Sequence, residues 1–317
     1  MNIKYDIIVI GGAAAGLTAA VYAARRGLKT HIISKDLGGQ AAITCEIENY
    51  PGVGAVEGPE LMQRFLDDAR KFGATFETDE VIGLEKRGDL FEVNTTQKKL
   101  SAKSVILAFG LTPRSLDIPG ADKFLYKGLT YCAQYDVEEF KNKNIAIIGG
   151  GNSALTAAEV LAPHVREVYI VHRRDTLRAE KVLQDRVGEL SNITYHLNSL
   201  PVEIQGDTRV QQLVIQTDKE RVNLDVGGIV AAIGFGTKTK WLGDYVEYTD
   251  NGSIVSDKHN NTKTKGLFAA GDVTDLEYKQ IIISAGDGAK AALSAYGYLQ
   301  EQFGIKGTHI DWGFIKQ

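Results

Sequence analysis

Ile7-Ile8-Val9-Ile10-Gly11-Gly12-Ala13-Ala14-Ala15-Gly16 sets the fold class of this chain. Four β-branched residues in a row read as a strand buried on both faces. The small residues after them give a tight turn that opens into a helix predicted over 17–26, where Ala, Leu and Val supply the apolar face. Such a turn lets backbone N–H groups and the positive end of the helix approach a pyrophosphate without obstruction from side chains. Gly11, Ala13 and Gly16 occupy the glycine positions of G-x-G-x-x-G, so one methyl, that of Ala13, must fit where the phosphate comes close. About 20 residues beyond Gly16, past a second apolar strand (30–34), Asp36 is placed to accept hydrogen bonds from a ribose.

The signal recurs, which an ordinary glycine-rich turn would not do. Ile145-Ala146-Ile147-Ile148 runs into Gly149-Gly150-Gly151-Asn152-Ser153-Ala154 and a helix predicted over 155–161, with G-x-G-x-x-A intact. The place held by a carboxylate in the first unit here falls in His172-Arg173-Arg174-Asp175-Thr176-Leu177-Arg178, after an apolar strand at 167–171. A carboxylate repels a ribose 2′-phosphate, whereas guanidinium forks bind one bidentately. The first site is therefore expected to take an adenosine with a free 2′-OH. The second, with Gly149, Gly151, Asn152, Ser153, Ala154, His172, Arg173, Arg174 and Arg178, is expected to take NADP.

Composition sets the outer limits. A chain of 317 residues, 44% hydrophobic, has room for two domains with full cores. A net charge of −4 without a long basic stripe argues against nucleic acid as a partner. No apolar run approaches the ~20 residues needed to span a bilayer, and no charged-then-apolar leader opens the sequence, so no membrane partner and a cytoplasmic location are expected. Two cysteines, Cys45 and Cys132, exclude a disulfide framework and a cysteine zinc site, and no metal is expected.

Residues 37–52 carry glycines, a proline and polar residues and read as a structured loop, the kind of segment that contacts ligands. An amphipathic helix is predicted over 60–72, an antiparallel patch over 75–103, and buried strands over 104–110, 228–234 and 266–272. An alanine-rich helix over 284–299 closes the chain. Since 266–299 has no unit of its own to complete, the chain is expected to return to its first domain. The resulting fold is α/β, with two Rossmann-like dinucleotide-binding domains. A NAD(P)H-binding domain at 115–242 is inserted within an FAD-binding domain made of 1–114 and 243–317.

The two turns, Gly38-Gly39-Gln40, Glu48-Asn49-Tyr50-Pro51-Gly52, His172–Arg178 and Gly271-Asp272 with Tyr278-Lys279-Gln280 together resemble the low-molecular-weight thioredoxin reductases, class II pyridine nucleotide-disulfide oxidoreductases, over residues 5–299. The resemblance implies FAD at the first site, with Gly39, Gln40 and Asn49 in its loop, Asp272 at the ribityl chain and Gln280 beside the isoalloxazine. It also implies NADPH on an inserted domain that rotates, and a homodimer. Nicotinamide and flavin would do the redox work, with the protein orienting them.

The departure lies at Thr130-Tyr131-Cys132-Ala133-Gln134-Tyr135-Asp136. The family has C-x-x-C followed by Asp, because two thiols so spaced close a disulfide and pass electrons on by exchange. Tyr135 replaces the second cysteine here, while Asp136, the family's proton donor, is retained. Three readings of Cys132 stand: a buried thiol with no redox role, a lone nucleophile that forms a mixed disulfide, and a partner for Cys45. Two smaller differences are Thr156 and Ala157, where the family carries an acidic pair, and a tail over 300–317 with Phe303, His309, Trp312 and Phe314. The expected activity is FAD-dependent oxidation of NADPH, with electrons passed to O2, a quinone-like acceptor, or ferredoxin or flavodoxin. A thioredoxin-disulfide or other disulfide reductase using Cys132 with Cys45 or a partner thiol, and a flavin redox sensor without turnover, are the alternatives.

Overall fold

The computed structural model describes residues 4–44, 46–131, 133–237 and 239–306. The chain divides into one unit made of Met1–Thr112 and Gly236–Gln317, and a second made of Pro113–Phe235. The return to the first unit comes at Gly236 rather than 243 because the 3₁₀ turn Lys240–Tyr245 belongs to that unit's core. Leu242 and Val246 are buried there together with Ile8, Leu107 and Leu267.

In the first unit a seven-stranded sheet is centred on Tyr5–Ile10, which pairs in parallel with Thr30–Ser34 on one side and Lys99–Leu107 on the other. Ile7, Ile8 and Val9 are fully buried, as an apolar run covered on both faces requires. Lys99–Leu107 is one long strand rather than a patch followed by a separate strand. Its first residues pair antiparallel with Leu90–Thr95, and its last residues pair in parallel with Leu267–Ala269. Thr75–Thr78 extends the parallel side against Thr30–Ser34, so it is not part of the antiparallel patch, which begins at Val81–Arg87.

Helix Ala14–Arg25 starts three residues earlier than its sequence pattern predicts and lies against the last helix, Ile281–Phe303. The approach is close: a Cβ on Gly288 would stand 2.0 Å from the carbonyl oxygen of Ala15. Gly58–Lys71 is the amphipathic helix, closing on Arg70 and Lys71. The loop expected over 37–52 contains one helical turn, Gly39–Ala42, started by Gly38 at φ +95°.

The second unit carries a five-stranded parallel sheet in the order Ile193–His196, Glu167–Val171, Asn144–Ile148, Gly228–Ala231, Leu129–Thr130. Helix Asn152–Leu161 buries Ala154, Leu155, Ala158 and Leu161 against it. A three-stranded antiparallel sheet, Leu200–Gly206, Val210–Gln216 and Arg221–Asp225, completes this unit.

Candidate functional site

Each glycine turn divides its work between packing and access. In the first, Gly11 sits at φ +121° with an added Cβ 2.2 Å from the Ala108 carbonyl oxygen, and Gly16 would place one 2.0 Å from that of Gly11. Both are packing positions, holding helix to strand as the outer residues of such a turn do. Ala13 is the residue that faces open space, as the N-cap of Ala14–Arg25 and part of a cavity wall.

That cavity, about 520 Å³, lies wholly within the first unit. Gly39, Gln40, Asn49, Asp272 and Gln280 all line it, so residues as far apart in sequence as Asn49 and Gln280, 231 positions, meet here. Gln40 donates from its side chain to the Leu111 carbonyl (3.0 Å), and Asn49 donates to Gln280 Oε1 (3.0 Å). Asp272 accepts from the Ser284 hydroxyl (2.8 Å). Gly110, at φ +61° in the wall, has nothing within 4 Å of an added Cβ. Asp36 is exposed outside the lining, with Oδ1 accepting from the Gly39 N–H at 3.0 Å, which fixes the start of the Gly39–Ala42 turn.

Sequence reasoning missed two supports of this cavity. Lys279 donates to the carbonyls of Asp272 (3.1 Å) and Thr274 (2.8 Å), pinning the loop that carries Asp272. Burial holds its pKa below the ordinary lysine value, against the opposing pull of Asp272, Asp275 and Asp287. Asp287, 4% exposed, accepts from the Gly271 N–H at 2.8 Å and pairs with Lys290 at 3.0 Å. An acid on the buried face of an alanine-rich helix was the available signal.

In the second unit Gly149 and Ala154 are the packing positions. A Cβ on Gly149 would lie 2.3 Å from the Ala232 carbonyl oxygen, and Ala154 is fully buried. Gly151 has nothing within 4 Å, the open position a phosphate needs. The arginine loop is tied to this turn by Arg178 N–H on the Gly150 carbonyl (2.6 Å), and by a two-way bond between Asn152 and Glu180 (2.8 and 3.1 Å). Asn152 is thus a brace between turn and loop. Arg173, Arg174 and Arg178 are exposed and close no ion pair among the described residues.

His172 is a correction to the expected ligand set. Its ring is buried under the turn, 2.5 Å from where a Gly150 Cβ would stand, so it supports the glycines from below instead of facing solvent with the arginines. Burial lowers its pKa, and Arg178, Arg174 and Arg173 lower it further. Ser153 lines a second cavity, about 370 Å³, that lies within this unit. Asp136 ends the 3₁₀ turn Ala133–Asp136, half-buried. Cys132 and Cys45 lie outside the described residues, as do His309, Trp312 and Phe314.

A mixed sheet and a parallel sheet, each with a central parallel strand running through a glycine turn into a helix, and a cavity beside each turn define an α/β protein of the dinucleotide-binding class. Among the described residues no cluster fit to hold a metal occurs, and no helix is long and apolar enough to cross a membrane. The chain belongs to the pyridine nucleotide-disulphide oxidoreductase family, whose family model matches residues 5–291. It is 40% identical over 299 residues to an NADH dehydrogenase of Bacillus subtilis, and 39% over 300 residues to an alkyl hydroperoxide reductase component of Staphylococcus aureus. Those matches take in 93% of this chain but 58% and 59% of the relatives, so the chain spans about three fifths of their length. Among solved structures it is similar to the thioredoxin reductase of Lactococcus lactis (TM-score 0.80, 37% identity, 94% of this chain and 100% of that one). It is also similar to a ferredoxin-flavin thioredoxin reductase of Clostridium acetobutylicum (TM-score 0.53, 28% identity, 94% and 98%). The family's thioredoxin reductases and NADH dehydrogenases are NAD(P)H-dependent flavoprotein oxidoreductases, and its thioredoxin reductase-like members use FAD with NADPH.

Proposed function

We propose that this chain oxidises NADPH through FAD and delivers the electrons to an acceptor other than an internal dithiol: O2, a quinone-like compound, or a one-electron carrier such as ferredoxin or flavodoxin. The carrying observation is Tyr135, which stands where the family's second active-site cysteine would be and has no sulfur to exchange. Bound in the first unit, FAD would supply a two-electron acceptor for the nicotinamide's hydride and a donor able to release electrons singly or in pairs.

The first unit's residues fit that group. Ala13 leaves the N-terminus of helix Ala14–Arg25 accessible to a pyrophosphate, and Gly110 leaves the cavity wall open. Asp272, oriented by Ser284 and by the loop that Lys279 pins, supplies an acceptor for ribityl hydroxyls. Gln280, held by Asn49, supplies an amide for the ring edge. In the second unit the exposed guanidinium groups of Arg173, Arg174 and Arg178, which close no ion pair among the described residues, fit a 2′-phosphate, which favours NADPH over NADH. A cytoplasmic homodimer is part of this proposal, and the likeness to a thioredoxin reductase and a ferredoxin-flavin thioredoxin reductase supports a small redox protein as its partner.

The test is NADPH oxidation under argon with quinone, ferricyanide, ferredoxin, flavodoxin and thioredoxin in turn, repeated in air with peroxide detection. The wild type and the Cys132→Ser and Cys45→Ser variants are expected to turn over quinone or one-electron acceptors alike. Turnover confined to thioredoxin or a disulfide, and lost in Cys132→Ser, would overturn the proposal in favour of a disulfide reductase. A flavin that NADPH fails to bleach would leave a sensor role.

A further inference from the structure

Among the described residues the cavity of the first unit has four charged side chains in its wall: three carboxylates, Glu46, Glu48 and Asp272, and one cation, Lys279. Two more carboxylates reach Lys279 from outside the lining, Asp275 of its own loop and Asp287 of helix Ile281–Phe303. Asp287 is already engaged, with Lys290 at 3.0 Å and the Gly271 N–H at 2.8 Å. Lys279 is half-buried and fixed: its Nζ donates to the carbonyls of Asp272 and Thr274, so its charge does not swing through solvent as a surface lysine's does. It is bonded to the backbone of the residue that would meet the ribityl chain, and it directly precedes Gln280, the residue that would lie at the ring edge. Helix Ile281–Phe303 starts immediately afterwards with Ile281 in the same wall, so its positive end adds to the ammonium on this side.

The charge balance of this wall bears on reduction. An oxidised flavin ring is neutral; on accepting a hydride it gains two electrons and one proton and becomes a monoanion. Three carboxylates in the wall repel that new charge, more strongly in a partly enclosed site than in open water. A fixed ammonium offsets the repulsion only in the reduced state, because the oxidised ring presents no net charge for it to attract. A charge that interacts with one redox state and not the other moves the equilibrium between them.

We infer that Lys279, beyond pinning the Asp272 loop, raises the two-electron potential of FAD by stabilising the negative charge of the reduced ring. The inference rests on the FAD reading above and assigns a tuning role to a side chain of this chain. With the ammonium in place, NADPH reduces the flavin more completely, and the reduced flavin is a milder reductant toward its acceptor.

Spectroscopic potentiometry of the FAD-loaded protein tests it, with xanthine oxidase and a viologen mediator as the reducing system so that neither NADPH nor an acceptor takes part. Lys279→Arg keeps the charge and the donors, Lys279→Gln keeps a donor without the charge, and Lys279→Met keeps neither. Lys279→Gln and Lys279→Met are expected to shift the equilibrium about tenfold toward oxidised FAD, a fall of about 30 mV for a two-electron couple. Lys279→Arg is expected to stay within about threefold of the wild type. Glu48→Gln, which removes a carboxylate from the wall, is expected to move the potential upward, and it decides the matter if neither uncharged variant retains flavin. A wild type that takes up no FAD would sink the FAD reading itself. With FAD bound, the charge role alone is overturned by a potential unchanged in Lys279→Gln, or by one as low in Lys279→Arg as in Lys279→Gln. Where only Glu48→Gln can be measured, a potential that is unmoved or lower overturns it too, leaving Lys279 as a structural pin.

Discussion

Gly16→Ala and Gly151→Ala add the same methyl to equivalent helices and are expected to have opposite consequences. At Gly16 the new Cβ would stand 2.0 Å from the Gly11 carbonyl oxygen, 2.9 Å from its carbon and 3.3 Å from Val9 Cγ1. An ordinary C···O approach is about 3.3 Å, so the helix must retreat from its strand by more than about 1 Å. Overpacking of this kind costs about 1–3 kcal/mol, and contact with the backbone of the turn, which cannot swing aside like a side chain, puts the value near the top. Alanine returns about 1 kcal/mol through helix propensity, leaving a net loss of about 2 kcal/mol. The retreat also moves Ala13 and the helix end away from the cavity. At Gly151, φ is −101° and nothing lies within 4 Å, so stability is expected to change by less than about 0.5 kcal/mol. The added methyl there intrudes on the phosphate position. Thermal melts, FAD retained through gel filtration, and calorimetric titration with NADP+ separate the cases. Gly16→Ala should lose flavin and melt lower; Gly151→Ala should keep both and bind NADP+ at least about tenfold more weakly. A Gly16→Ala protein with its flavin and melting temperature intact, or a Gly151→Ala protein that unfolds, would refute the division between packing and access.

Replacing Arg174 with Ala should lower kcat/KM for NADPH about 10- to 100-fold while leaving NADH nearly unchanged, since only the 2′-phosphate loses a charge-assisted partner; an equal fall with both would remove that assignment. His31, His172 and His196 are each held by burial below the ordinary value of 6.5. Their neutral forms therefore contribute stability that is complete above about pH 6.5 and is lost as pH falls below it toward the folded values, because the unfolded chain takes up the protons first. The stability advantage of the wild type over His172→Gln should shrink as pH is lowered from about 8 to about 5; a widening gap in thermal melts would contradict the burial argument.

Much of this fold was legible because the decisive signals are backbone requirements. Runs such as Ile7–Ile10 and Ile145–Ile148 admit few readings beside a covered strand, and glycines at 11, 16 and 149 stand where a Cβ has no room. Both nucleotide-site helices begin earlier than their apolar patterns suggest, because Ala14 and Asn152 start them with no side-chain cap to announce the turn. Thr75–Thr78 is short and only partly covered, so nothing in it separates a parallel edge strand from an antiparallel one. At the site, the residues that contact open space were found by motif, whereas His172 misled because the motif shows a charged loop but not which member turns inward. Lys279 acts through carbonyl oxygens of its own loop, a role that leaves no pattern in sequence.

The first unit is stitched from both ends of the chain, since Leu267–Ala269 lies on Lys99–Leu107 and the final helix covers Ala14–Arg25. During synthesis the uninterrupted segment 113–235 emerges with all its own sheet partners and can fold on the ribosome. The amino-terminal segment cannot finish until the last helix arrives, and the apolar side of Ala14–Arg25 stays uncovered meanwhile. Ile281 and Ser284 of that last helix also belong to the wall of the first unit's cavity, so the cavity is complete only once the final element has docked.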